Sequence, residues 1–473
     1  MIERQKYPLV FAASAFLVWL IVRFVLRFDG LYGQDAYEYF RYAKALNTFL
    51  SEGKPPGDYF WPLYYPILGA LLSLFVAPIF ALQWISVGSL VLTAIFVHRT
   101  ICLLYEEKST SGFYVLVCFV LSPMVLRAGM LVMSDMLATL FVCLSAYSIL
   151  SFDKKKHLKY FLGFIVFAVS ASMTRYVAAV IVWPLGIWGT FKFFKHRKSP
   201  WHLFWALLLG FLLILPHWLI RSQSPVAFLK HPALFSWSAA NFFRSQFMGT
   251  DGTFQFKFIN IIYAFGGFYH PAYFVLGALF VLLVLILKQK LNASIYILWI
   301  SALVYGLFLA GVPYQNMRFL ILSFPLIIVC VFPGWQFILE KTPFKKIAFT
   351  LFVLLQLSLF AHVMQPLLHR SKLEQAVVAK LSAYQGSTLY SFDMDVALKG
   401  RELRFEYKNL WDTLYTQFKV GDFVLFNPMG LKDQWQGKNP MLNWEYLKTN
   451  YQMETVEQMP EGWTLFKIIS IEN

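Results

Sequence analysis

Negative charge is scarce in this chain of 473 residues: Asp and Glu together number 25, and all charged residues make up only 14%. An ordinary soluble domain carries about 25% charged residues, so a soluble globular enzyme is excluded. Cysteine is almost missing. Cys102, Cys118, Cys143 and Cys330 all fall in apolar stretches, where they read as small core hydrophobes. That excludes a disulfide framework, and no CxxC spacing offers a metal site. Internal repeats and low-complexity linkers are absent as well. What is plentiful is apolar surface: 58% of residues are hydrophobic and 19% aromatic, with a mean hydropathy of +0.57. A polytopic membrane protein is what remains.

Lys and Arg number 41, for a net charge of +16. In a soluble chain such an excess would suggest nucleic acid. Here the segment 365–473 has 12 basic and 13 acidic residues, so the whole excess sits in 1–364, between long apolar runs. Basic residues in that setting mark cytoplasmic loops, and no nucleic-acid partner is expected. The chain therefore divides into a transmembrane body, 1–364, and a soluble domain, 365–473.

A span needs about 20 mostly apolar residues. Eleven stretches qualify: 8–27, 82–104, 111–127, 132–151, 158–174, 176–194, 202–220, 271–287, 292–311, 317–333 and 346–364. A further stretch, 61–80, is apolar but punctuated by Pro62, Pro66 and Pro78. The basic clusters at Lys154–Lys156, Lys192–Lys198, Lys288–Lys290 and Lys341–Lys346 all fall on the side of Arg4 and Lys6 only if 61–80 lies in the interface without crossing. The N-terminal apolar run is too long for a signal peptide and reads as an uncleaved first span. The expected architecture is mainly α, with about 11 transmembrane helices in the plasma (inner) membrane and the N-terminus cytoplasmic. Outside lie loops 28–60 and 221–270, the latter rich in aromatics, and a small C-terminal α/β domain. Strand-like runs at 388–392, 423–426 and 463–469 and a helix near 441–450 build that domain.

The body has twelve carboxylates. Glu3, Glu106, Glu107, Asp153 and Glu340 sit in inside loops among basic residues and read as solvated charge. Seven face outward: Asp29, Asp35, Glu38, Glu52, Asp58, Asp135 and Asp251. Five of these crowd the first outside loop, which is where chemistry is expected. Within it, residues 33–50 read as an amphipathic helix. Asp35 and Glu38 are three apart on its first turns, and Asp35 is open to two readings, helix capping or function. Asp135, after Ser134, opens a span at the outer face. It is either an ordinary helix start or a functional carboxylate at a costly membrane edge; Arg127 lies on the same side as a candidate partner. Arg175, Arg221 and Arg318 stand at outer span edges. Each reads as a headgroup anchor, and together they suit an anionic phosphate. His270, before Pro271, reads as a capped helix start.

Several segments in order resemble the membrane glycosyltransferases of the GT-C class, which include the protein O-mannosyltransferases and the bacterial aminoarabinose transferase. They are GQDAYEYFRYA (33–43), WPLYYPILGAL (61–71), SP followed by MSDMLATLF (122–141), MTRY (173–176) and MRFLILSFP (317–325). The spacing of Asp35 and Glu38 departs from the class, in which the first-loop acidic pair is often one residue apart. The resemblance implies transfer of a sugar from a polyprenyl-phosphate donor to an extracytoplasmic acceptor by an inverting displacement, among membrane lipids. It implies Asp35 as base, and Glu38, Asp135, Arg175 and Arg318 as substrate-binding residues. A divalent metal, Mg or Mn, is compatible with Asp35, Glu38 or Asp135 as ligands but not demanded. Three rivals are weighed. A transporter or flippase often shows repeats and midplane polar residues. A polysaccharide polymerase or ligase places its main loop later. A membrane-anchored binding protein leaves eleven spans unexplained.

Overall fold

The computed structural model describes residues 2–105, 119–196, 198–220, 236–249, 252–286 and 292–472. Glu106, Glu107, Cys118, Arg221, Asp251, Lys288 and Lys290 lie outside the described residues. The chain forms two compact units. The first comprises Met1–Gly30, Tyr42–Phe243 and Phe258–Gln365; the second comprises Leu31–Arg41, Arg244–Lys257 and Pro366–Asn473.

The first unit is helical, and its centre is the helix Asp135–Lys155, buried along most of its length from Asp135 to Phe152. Helices Pro78–Tyr105, Leu158–Thr174 and Ala178–Lys195 pack around it. Ala138, Ser145, Ala146 and Ser148 supply the small side chains that let helices approach inside a bilayer. The approach is close at Gly189, where a Cβ would lie 2.4 Å from Ile149 Cδ1. Helix Pro200–Ile220 has the opposite character. Its Trp201, Trp205, Leu207 and Leu219 are exposed, as suits a surface facing lipid.

Among the described residues, six helices are long and apolar enough to cross a membrane: Pro78–Tyr105, Asp135–Lys155, Pro200–Ile220, Ala293–Gly311, Phe324–Lys341 and the segment Lys345–Tyr384. Shorter apolar helices cover Val10–Val25, Leu158–Thr174 and Gly277–Ile286. The chain is a polytopic membrane protein. Several expected spans are interrupted. Within 61–80 only Tyr64–Leu72 is helical before the next helix begins at Pro78. Nine residues at 1.5 Å each reach about 13 Å, well short of a ~30 Å hydrocarbon core. The described end of 111–127 is a separate helix, Pro123–Met130, set off by extended backbone at Ser122. In 271–287 the helix starts only at Gly277. Segment 317–333 breaks into a 3-10 turn, Met317–Leu322, and the helix Phe324–Lys341. Pro325 in the first turn of that helix has no N–H to carry the hydrogen-bond ladder upstream.

Among its described residues the second unit has seven strands: β1 Gln246–Gly249, β2 Gly252–Gln255, β3 Thr388–Ser391, β4 Glu406–Asn409, β5 Phe423–Phe426, β6 Tyr451–Gln458 and β7 Thr464–Ile471. β1 and β2 pair as an antiparallel ribbon. The other five form one mixed sheet, in the order β4-β3-β5-β7-β6. β3 is parallel to β4 and to β5, while β7 is antiparallel to β5 and β6. Helix Met394–Gly400 makes the crossover from β3 to β4. Helices Pro428–Trp435 and Asn439–Asn450 supply Trp435 and Trp444 to a core with Phe426, Leu447 and Ile468. Trp444 stacks on Phe426 at 5.1 Å. Three of the five sheet strands and the helix at 439–450 fall where the sequence places them. The two it does not indicate, β4 and β6, are the edge strands. Edges are kept polar against stray pairing, which removes the apolar alternation that marks a strand.

Candidate active site

Asp135 is the first residue of its helix, and Arg175 follows the end of another, Leu158–Thr174. Arg175 leaves the helix in extended backbone (φ −147°, ψ 120°), while its N–H still donates to Ala171 O at 2.9 Å. The chain thus turns with the guanidinium brought onto Asp135, where Nη1 donates to Oδ1. Side-chain exposure is only 2% for Asp135 and 12% for Arg175. At that burial each charge depends on the other. Asp135 stands both at a helix N-terminus and in a buried ion pair. Arg175, 40 residues away in sequence, thus pairs with Asp135, a contact that the expectation of Arg127 as partner did not foresee.

Arg318 lies in the 3-10 turn Met317–Leu322. Its N–H donates to Asn316 Oδ1 at 3.2 Å, and its Nη1 contacts Met133 Sδ at 3.5 Å. Three tyrosines from three segments grip this short stretch by its carbonyls. Tyr263 OH donates to Asn316 O at 2.7 Å and accepts from Asn316 N–H at 3.0 Å. Tyr273 OH donates to Met317 O, and Tyr305 OH donates to Phe319 O at 2.8 Å. Irregular backbone is tolerated at membrane depth only where protein satisfies it, and here phenols do so. Between the two arginines lies a shared aromatic contact. The guanidinium carbons of Arg175 and Arg318 stand 5.3 and 5.4 Å from the ring centroid of Phe319, within cation–π range. Asp135, Arg175 and Arg318 are therefore gathered at one place. Phe319 and the three tyrosines belong to it too. Sequence reasoning missed them because nothing separates them from the rest of the chain's 49 Phe and 25 Tyr.

Asp35 and Glu38 belong to the second unit, on the first turns of the helix Gly33–Glu52. Asp35 is half-buried. Glu38 takes a forked bond from Arg41, with Nη2 at 2.9 Å and Nε at 3.0 Å. Exposed pairs of this kind contribute little stability, so the carboxylate exchanges partners readily. His270 caps a turn: its Nδ1 accepts from Ala272 N–H at 3.2 Å, several residues ahead of the helix at Gly277. Arg221 lies outside the described residues. Among those residues no three His, Cys, Asp or Glu side chains are grouped to hold a metal ion.

The ion pair carries an expected result of its own. Asp135→Asn leaves Arg175 buried without its carboxylate, and stability should fall by about 3–5 kcal/mol. The double variant with Arg175→Gln removes both charges and should recover most of that loss. Thermal unfolding in detergent checks both, and a double variant no better than the single would mean the pair is not what holds this corner.

Comparison with known proteins follows the same outline. A family model described as dolichyl-phosphate-mannose-protein mannosyltransferase matches residues 54–220, which include Asp135 and Arg175. ArnT from Cupriavidus metallidurans, solved in the apo state, matches with a TM-score of 0.61 at 11% identity, over 98% of each chain. The same protein bound to undecaprenyl phosphate matches with a TM-score of 0.58 at 12% identity, over 97% of each chain. This chain has the GT-C fold. An oligosaccharyltransferase from Archaeoglobus fulgidus is also similar, with a TM-score of 0.49 at 12% identity, over 95% of this chain and 70% of that one. No curated protein matches the sequence.

Proposed function

We propose that this GT-C protein is an inner-membrane glycosyltransferase that moves a sugar from a polyprenyl-phosphate donor to an acceptor outside the cytoplasm. The observation that carries the reading is the gathering of Arg175 and Arg318 at Phe319 in a chain of this fold. Two guanidiniums suit a phosphate leaving group, whose negative charge grows as the sugar departs. That the similar ArnT was solved with undecaprenyl phosphate bound supports a lipid phosphate as the group held. In a single inverting displacement the acceptor oxygen attacks the anomeric carbon. The bond from that carbon to the phosphate oxygen breaks, and its electron pair goes to the phosphate. The acceptor's proton passes to a carboxylate, and Asp35 is assigned that role. Asp135 holds Arg175 in place.

Incubating the purified protein with a panel of polyprenyl-phosphate sugars tests the reading: one donor should release free lipid phosphate, and release from none would sink it. Orientation is checked in the same cells by single cysteines in a background lacking the four native ones. An impermeant thiol reagent added outside should label Lys432→Cys and spare Lys155→Cys.

A further inference from the structure

Glu374 is a carboxylate that the proposed chemistry does not use, yet it is only 1% exposed. It lies in the second unit and collects three donors there. Arg370 Nε donates at 2.9 Å, Arg401 Nη2 at 3.5 Å, and the hydroxyl of Tyr37 donates to its Oε2. Arg370 also donates through Nη1 to Asp393 Oδ2 at 2.9 Å. Two guanidiniums and two carboxylates balance, which is how a buried charge is tolerated.

Tyr37 is the one member from far away in sequence, 337 residues from Glu374. It is held in three ways. Its hydroxyl is on Glu374, and the Arg401 guanidinium carbon lies 5.9 Å from its ring centroid. Its ring edge also lies against Gly400, where a Cβ would meet Tyr37 Cδ1 at 2.1 Å. Tyr37 itself is 3% exposed. It stands two residues after Asp35 on the helix Gly33–Glu52. At about 100° per residue, two positions apart point to nearly opposite sides. Pinning Tyr37 into the module therefore fixes the rotation of the turn and the direction in which Asp35 is presented.

We infer that the C-terminal module is a positioning device for Asp35, acting through the Tyr37–Glu374 contact and the Gly400 seat. The inference rests on the reading of Asp35 as the base. Tyr37, Glu374 and Gly400 are positioning residues; none touches the reacting atoms. A module that merely packed there would need only apolar contact, and a buried carboxylate with two arginines is a costly way to obtain it.

The test is a double-mutant cycle on the full chain. Tyr37→Phe removes one hydroxyl and keeps the ring. Turnover should fall about 10-fold, since small misplacements of a catalytic group are expensive, while the donor KM stays within about 2-fold. In an Asp35→Asn background the same change should cost nothing further, with residual transfer read from radiolabelled donor. Gly400→Ala leaves every charge in place and displaces the Tyr37 ring, so it should reproduce the same pattern. If Tyr37→Phe and Gly400→Ala keep full turnover while Asp35→Asn is inactive, the positioning inference alone fails. Equal losses in both backgrounds overturn it as well, because Tyr37 would then act independently of Asp35. Full transfer by Asp35→Asn itself overturns the base assignment, and the inference with it.

Discussion

Asp35→Asn is expected to lose about 10²–10⁴-fold in transfer, the range contributed by a positioned general base. The substitution keeps the size and shape of the side chain. It also keeps the capping ability, because Asn and Asp cap helices about equally well. Asp35 sits in the first turn of Gly33–Glu52, so a purely local role predicts a variant close to wild type. The two roles thus give results that differ by orders of magnitude. Donor binding must be measured alongside turnover. A base acts on the acceptor's proton, so the variant should fold and hold the polyprenyl-phosphate sugar as before, with the loss in kcat. A folded Asp35→Asn protein with full transfer would remove Asp35 from the chemistry and turn attention to Glu38 and Asp135.

The membrane body was legible in the sequence because lipid imposes a simple rule of length and hydropathy. That rule is silent wherever the protein satisfies irregular backbone internally. The breaks at Ser122, at 271–276 and at Ser323 are therefore invisible in hydropathy, although the last is where Arg318 is held. Charge was the most informative signal. Asp135, Arg175 and Arg318 stand out because ionised groups are so rare in apolar surroundings. That Arg175 pairs with Asp135 was not legible, since the two are 40 residues apart. The composition of 365–473 reads as that of a soluble domain and gives no sign that Leu31–Arg41 and Arg244–Lys257 group with it. Those segments are joined to it by long-range contacts such as Tyr37 with Glu374 and Gly252 with Gln434, and contacts of that kind leave no periodicity to read.

Arg318→Lys is the second large effect expected, about 10²-fold in kcat/KM, comparable to removing one donor from an oxyanion site. Arginine and lysine carry the same charge and both snorkel to the headgroup level. A residue that only anchors a helix end should therefore accept the change with little effect. A phosphate clamp should not accept it. Guanidinium offers a planar fork of donors that matches two phosphate oxygens, and it also stacks on an aromatic face. The ammonium of lysine is a single hydrated point. In the structure the Arg318 guanidinium carbon lies 5.4 Å from the Phe319 ring centroid, and the backbone on either side is gripped by Tyr263 and Tyr305. That backbone has little freedom to bring a lysine to the same place. If Arg318 holds the departing phosphate, the loss should fall mainly on kcat, because the phosphate gains charge only as the sugar leaves. A loss confined to KM would make Arg318 a docking contact for the donor's resting charge. Unchanged kinetics in the lysine variant would leave it an anchor and shift the clamp to Arg175, whose charge is already shared with Asp135.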